Sequence, residues 1–236
     1  TGSTAVGKAV YKLAAEQPVP VTLELGGKNP CIVSAKANLK LAAKRIAMAK
    51  FSNAGQMCIT PDYLLVHQSV KEAFVEILKQ IITQFYGDHP VESYDYGRII
   101  NKKQFDRLMG YLQTNTVIAG GTHNEDMLYI APTLIDAPQV DDPIMKEEIF
   151  GPLLPILAYT DDAFALDVVN HNPNPLAFYV FTDDSKEADL WLHKVPSGGA
   201  CINAVAMHYL NKNLPFGGRG DSGMGRYHGK FSMGTM

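Results

Sequence analysis

The sequence predicts an α/β fold, a largely parallel sheet flanked by helices. Short apolar, β-rich runs recur along the chain, segments of helical periodicity separate them, and no internal repeat or low-complexity tract interrupts the alternation. The strand-like runs are 21–25, 31–34, 63–67, 153–159 and 177–181. Helical periodicity is clearest over 70–85, where Val70, Phe74, Ile77, Leu78, Ile81 and Phe85 share one face. Ser69 and Glu72 read as a capping box in front of it and Gly87 as its stop. A second helix is predicted over 39–51 with Asn38 as its cap, and others over 6–16, 102–112, 162–170 and 186–193. In alternating folds of this kind ligands are expected at the carboxyl ends of the strands.

Composition narrows the function classes. The 236 residues are 46% hydrophobic and 19% charged, with a formal net charge of −3, ordinary globular values without the basic footprint of a nucleic-acid binder. There is no run of 18 apolar residues to span a membrane, and no basic-then-apolar opening. Three cysteines, Cys31, Cys58 and Cys201, are too few and too odd for a disulfide framework. They predict a reducing, cytoplasmic compartment. Seven scattered histidines, with no CxxC or HExxH, predict no metal site.

Two regions break the alternation. Residues 136–152 are polar and punctuated by Pro138, Pro143 and Pro152, and the last 20 residues hold seven glycines. Glycine inside an element costs about 0.5–1 kcal/mol relative to Ala, so that density marks tight turns or close backbone approach.

A few residues could carry chemistry. Cys58 lies in FSNAGQMCITPDY, between the end of a helix and Pro61, beside Gly55 and the polar Asn53 and Gln56. It is either a reactive thiol on a connecting loop or a buried inert one. Cys31 and Cys201 sit in apolar strand-like runs and read as packing. Glu24, in VTLELGGK, is a carboxylate inside an apolar strand. Burial would raise its pKa and suit it to proton abstraction, whereas strict alternation with Val21, Leu23 and Leu25 would put it on a solvated face. Glu148, in KEEIFGP, is one of two adjacent acids. Gly2 to Gly7 open a helix whose exposed N–H groups could hold a phosphate.

The order of these motifs is more specific than any one of them. VTLELGGK, GQxC 34 residues after Glu24, EEIFGP with Glu148 90 residues after Cys58, then LPFGG and SGMG resemble the aldehyde dehydrogenase superfamily over essentially the whole length. GSTAVG, TPDY, FYG, RIIN, YIAPTL and MGRYHGK resemble its class 3 branch, and LLPILAY and PLAFYVF are similar to the bacterial coniferyl-aldehyde dehydrogenases within it.

That resemblance implies roles. Cys58 is the nucleophile that forms a thiohemiacetal and then a thioester; Glu24 is the general base for hydrolysis. The cofactor is NAD or NADP: Gly2, Ser3 and Gly7 lie at its pyrophosphate, Leu25, Glu148 and Phe150 at its nicotinamide end. The Cys58 N–H is an oxyanion donor, and a second donor, an Asn, is expected upstream of Thr1. Met48, Met57, Tyr209 and His228 are nominated for the aldehyde pocket, where the bulky Met57 suits an aromatic or medium-chain apolar aldehyde. Arg219 and Asp221 stand where smaller, less charged residues are expected.

Residues 1–26 are expected to be the remnant of a cofactor domain, 27–210 the catalytic domain and 211–236 a Gly-rich segment closing the active-site region. The rest of the cofactor domain and a final pairing strand are expected outside the chain. The chain alone is therefore expected to be inactive, and its parent a homodimer acting on a small-molecule aldehyde, with no nucleic-acid partner. Three other readings remain: NAD-independent esterase activity at Cys58, a silent binding or assembly domain, and a CoA-acylating dehydrogenase, against which Glu24 argues.

Overall fold

The structure, a computed structural model, describes residues 1–233. In chain order its elements are α1 (Thr4–Ala14), β1 (Leu23–Glu24), β2 (Pro30–Val33), α2 (Leu39–Phe51), β3 (Tyr63–His67), α3 (Lys71–Tyr86), α4 (Lys102–Thr114), β4 (Thr116–Ala119), β5 (His123–Asn124), β6 (Tyr129–Ile130), β7 (Thr133–Asp136), α5 (Pro143–Lys146), β8 (Leu153–Tyr159), α6 (Asp162–Asn170), β9 (Ala177–Phe181), α7 (Ser185–Lys194), β10 (Gly199–Ile202), α8 (Met207–Leu210) and β11 (Gly223–Met224).

Seven strands form one sheet in the order β10-β9-β2-β3-β8-β7-β4. Every pair in it is parallel except β4 with β7. The central strands β2, β3 and β9 are buried along nearly their whole length, as expected of parallel strands covered on both faces. Cys31, Ile32, Val33, Leu64, Leu65 and Val66 are fully buried there. Helix α2 packs on α3, α6 on β8 and α7 on β9. The predicted α/β class is therefore the observed one, and Cys31 is core packing.

Caps place most helix starts. Side chains of Ser3, Asn38, Asn101, Asp161 and Asp184 accept a first-turn N–H from α1, α2, α4, α6 and α7. The capping box expected from Ser69 and Glu72 does not form. A short 3-10 turn over Gln68–Val70 precedes α3, and Ser69 Oγ is 2.8 Å from His67 Nδ1 instead. Gly87 does end α3, at φ 74° with its N–H on Thr83 O. The predicted strand 21–25 shrinks to Leu23–Glu24. It lies outside the main sheet, in an antiparallel ribbon with Gly223–Met224. Two segments without a strand prediction, β4 and β7, form one edge of the sheet.

The register decides where a site can form. Pro30 pairs with Tyr63, Cys31 with Tyr179 and Leu64 with Ile156, so β9, β2, β3 and β8 all begin at one edge. Gly26–Asn29 enters β2 there, the Cys58 segment enters β3, Glu148–Gly151 enters β8 and Asn174–Pro175 enters β9. The candidate residues thus gather at the amino ends of the parallel strands, opposite to the expected carboxyl ends.

Candidate active site

Glu24 is set by the β1–β11 ribbon. Leu23 pairs with Met224 and Glu24 with Gly223; Gly2 N–H donates to Glu24 O at 3.0 Å and Leu25 N–H to Ser222 O at 3.1 Å. Glu24 is 7% exposed and Leu23 only half-buried, so the solvated-face alternative for Glu24 does not hold. No hydrogen-bond partner among the described residues meets its Oε1. Burial pushes its pKa up to about 7, with the chain's amino terminus and Arg226 pulling the other way.

Cys58 sits on a turn after a left-handed run. Asn53, Ala54 and Gly55 have φ of 50°, 51° and 74°, and a β-carbon at Gly55 would lie 2.2 Å from Gly151 O. Gln56 braces that run: its Nε2 donates to Arg98 O at 2.9 Å and Asn53 O at 3.0 Å, and its Oε1 accepts the Ile100 N–H at 2.9 Å. Asn29 Nδ2 holds Cys58 O at 2.8 Å and Thr60 O at 3.0 Å, while its Oδ1 accepts the Ala177 N–H at 2.9 Å. Cys58 itself is half-buried. Burial, then the charges of Glu148 and Glu24, push its pKa up to about 11. Two acids 124 positions apart in the sequence therefore bear on one thiol.

Glu148 lies across the glycines that follow Glu24. A β-carbon on Gly26 would stand 1.8 Å from Glu148 Oε2, so only glycine admits this carboxyl, and the Gly27 N–H bonds to it. Its pKa is pushed up to about 8, by burial first and then by Asp62, against the pull of Gly27, Lys50 and Lys28. Beneath it lies a buried charge cluster. Lys28 Nζ is 2.5 Å from Asp62 Oδ2 and donates to Ile144 O at 2.5 Å and Glu147 O at 3.0 Å. Asp62 also accepts the Ile149 N–H at 3.1 Å, and Lys50 Nζ is 3.9 Å from Asp62 Oδ1. Burial brings the Lys50 pKa down to about 8. Asp62 thus joins the segment carrying Cys58 to the one carrying Glu148. Phe150, next to Glu148, is 36% exposed with φ 46°.

A cleft of about 340 Å³ opens beside Glu148, lined among others by Thr4, Lys8, Gly26, Gly27 and Asn174; Glu24 and Cys58 lie outside its lining. Against this geometry, the family model described as the aldehyde dehydrogenase family matches residues 1–236. The chain belongs to the aldehyde dehydrogenase family. It is 48% identical over 238 residues to 4,4'-diaponeurosporen-aldehyde dehydrogenase of Staphylococcus aureus, covering 100% of this chain and 52% of that protein. It is 46% identical to a dimeric NADP-preferring aldehyde dehydrogenase of Rattus norvegicus, again covering 100% of this chain and 52% of that protein. A solved structure of Staphylococcus aureus AldH in a substrate-bound state superposes with a TM-score of 0.96 at 48% identity, covering 99% of this chain and 52% of that one. The chain spans about half the length of these relatives.

Ser3 caps α1, with Ser3, Ala5 and Val6 exposed at its first turn. Gly7 lets α1 approach β1, since a β-carbon there would lie 2.6 Å from Leu25 Cδ1; Leu25 is buried. Tyr209 and His228 stack, ring centroids 5.1 Å apart and 20° from parallel. Tyr227 packs edge-on to His228 and is coupled electrostatically to Glu24, Tyr209 and Cys58. Met57 is half-buried beside Cys58. Met48 is 56% exposed on α2, and its carbonyl accepts from the Ser52 N–H and from Ser52 Oγ at 2.5 Å. Arg219 and Asp221 are surface residues of the ribbon turn, where Asp221 pairs with Lys8 at 2.9 Å. Cys201 is half-buried, its sulfur 3.3 Å from His208 Nδ1.

Sequence reasoning missed Asn29, Lys50, Asp62 and Tyr227. One signal was present: Lys50 continues the apolar series Leu39, Ala43, Ile46 on α2, a spacing that buries it. No helix of the described residues is long and apolar enough to cross a membrane.

Proposed function

We propose that this chain carries the catalytic half of an NAD(P)-dependent enzyme that oxidises an aromatic or medium-chain apolar aldehyde to its carboxylic acid. The observation that carries this reading is the placement of the buried Glu24 and of Glu148 close enough to the half-buried Cys58 for both charges to reach its thiol. The thiolate of Cys58 adds to the aldehyde carbon, and the Cys58 N–H receives the resulting oxyanion of the thiohemiacetal. NAD+ or NADP+, when bound, would supply the acceptor for the hydride that this adduct loses in becoming a thioester. Glu24 then takes a proton from water, which attacks the thioester and releases the acid. With a pKa near 7, Glu24 is half ionised at neutral pH, the condition that favours a general base.

The residues present fit the nicotinamide end of such a cofactor. Glu148 lies over two glycines at the rim of the cleft, where its carboxyl can accept ribose hydroxyls. Phe150 is exposed beside it to lie against a ring, and the uncovered N-terminal turn of the eleven-residue α1 offers N–H groups to a phosphate. Tyr209, Tyr227 and His228 form an aromatic wall suited to an apolar aldehyde. The division at residues 26 and 210, cytoplasmic residence and a dimeric parent belong to the same reading, as does kinship of substrate with coniferyl aldehyde.

The test uses the protein of full family length. Cys58→Ser abolishes NAD(P)H formation from aldehyde. Glu24→Gln keeps a burst of about one NAD(P)H per subunit while steady-state turnover falls on the order of 100-fold. Wild-type turnover in either variant overturns the proposal.

A further inference from the structure

The turn that carries Cys58 holds hydrogen bonds with no part in the chemistry proposed above. Thr60 is buried, and both of its donors reach back to one atom. Its N–H and its hydroxyl each lie 3.2 Å from Met57 O. Its carbonyl accepts from Asn29 Nδ2 at 3.0 Å, so the residue is held from behind by a side chain that is itself buried.

The carbonyl of Met57 and the N–H of Cys58 belong to one peptide unit, which is planar and trans. Fixing the oxygen therefore fixes the N–H on the opposite side. Among the described residues no carbonyl takes that N–H. Donor and nucleophile belong to one residue, and the N–H is left for an incoming acceptor. When the sulfur adds to a carbonyl carbon, the oxygen that receives the π pair is carried towards this N–H. A donor aimed before the charge develops needs no reorganisation when it does.

We propose that Thr60 is a positioning residue whose hydroxyl, by holding Met57 O, aims the Cys58 N–H at the oxygen of a carbonyl under attack by Cys58. The inference rests on Cys58 being the nucleophile. A hydroxyl that merely fills the turn matters equally to every reaction of Cys58. One that aims the N–H matters only where an oxygen gains charge.

Two reactions of the same sulfur separate these roles. With iodoacetamide an S–C bond forms, the C–I bond breaks and iodide leaves; no oxyanion develops. With 4-nitrophenyl acetate the thiolate adds to the carbonyl carbon, the π pair moves onto oxygen, and collapse expels 4-nitrophenolate to leave acetylated Cys58. Both rates are read at Cys58 by mass spectrometry in wild type, Thr60→Val, Thr60→Ala and Thr60→Ser. Alkylation stays within about twofold throughout. Acylation falls about fivefold in the Val and Ala variants, the worth of one neutral hydrogen bond, and Thr60→Ser keeps the wild-type ratio. An acylation-to-alkylation ratio unchanged in Val and Ala, including a parallel loss of both rates, overturns the proposal, as does an equal fall in Ser. A wild-type Cys58 inert to both reagents overturns the nucleophile reading itself, and this proposal with it.

Discussion

Glu24 and Glu148 are carboxyl groups kept where carboxylates are costly. Their folded pKa values, about 7 and about 8, stand above the ordinary 4.5. The folded state therefore binds more protons than the unfolded chain between pH 4.5 and those values, and stability falls as pH rises through that window. Glu24→Gln and Glu148→Gln are expected to stabilise the protein at pH 8.5 by on the order of 2 kcal/mol each, with the gain vanishing at pH 4.5 and below. Thermal unfolding at the two pH values reads this directly; destabilisation at pH 8.5 would mean that the carboxylates are paired rather than stranded. At this scale much was legible. The motif around each of Cys58, Glu24 and Glu148 named the residue, and a carboxylate in an apolar run signalled burial. The Asn29 brace was not legible, because an Asn in a GKNP turn carries no mark of what it will bond 29 residues away.

The elements that local rules describe were read well. Five helices begin at a side-chain cap within two residues of a predicted start, since a cap and a 3.6-residue period are both written in neighbouring positions. The β1–β11 ribbon was not, because its two halves lie about 200 residues apart. Strands β4 and β7 escaped too: β4, at the sheet edge, is four residues long with its first two exposed, and β7 follows Pro132 directly. The ribbon makes its own prediction. Gly223 has φ 146°, and a β-carbon there would lie 2.3 Å from Leu23 O. Gly223→Ala should destabilise by about 2–4 kcal/mol and speed hydrogen exchange over residues 22–25, leaving the buried amides of β2 and β3 as protected as before. Unchanged exchange at 22–25 would show that Glu24 does not depend on this pairing.

Across the whole molecule the site is a consequence of register. Four parallel strands start at one edge, and the segments entering them bring Gly26, Cys58, Glu148 and Pro175 together, with Asp62 and Asn29 tying those segments to one another. The candidate residues lie away from the carboxyl ends because the segments carrying them lead into strands rather than out of them, a difference that no single motif encodes. The central claim is that Glu24 and Glu148 both stand within electrostatic reach of Cys58. Its most direct test is the rate of iodoacetamide alkylation at Cys58, followed from pH 6 to 11 in wild type, Glu24→Gln and Glu148→Gln. With the thiol held up to about 11 by burial and both acids, the wild-type rate should still be climbing at pH 10. Each Gln variant should shift the profile to lower pH, Glu148→Gln further than Glu24→Gln. Superimposable profiles in all three proteins would place the acids away from the sulfur and contradict the account.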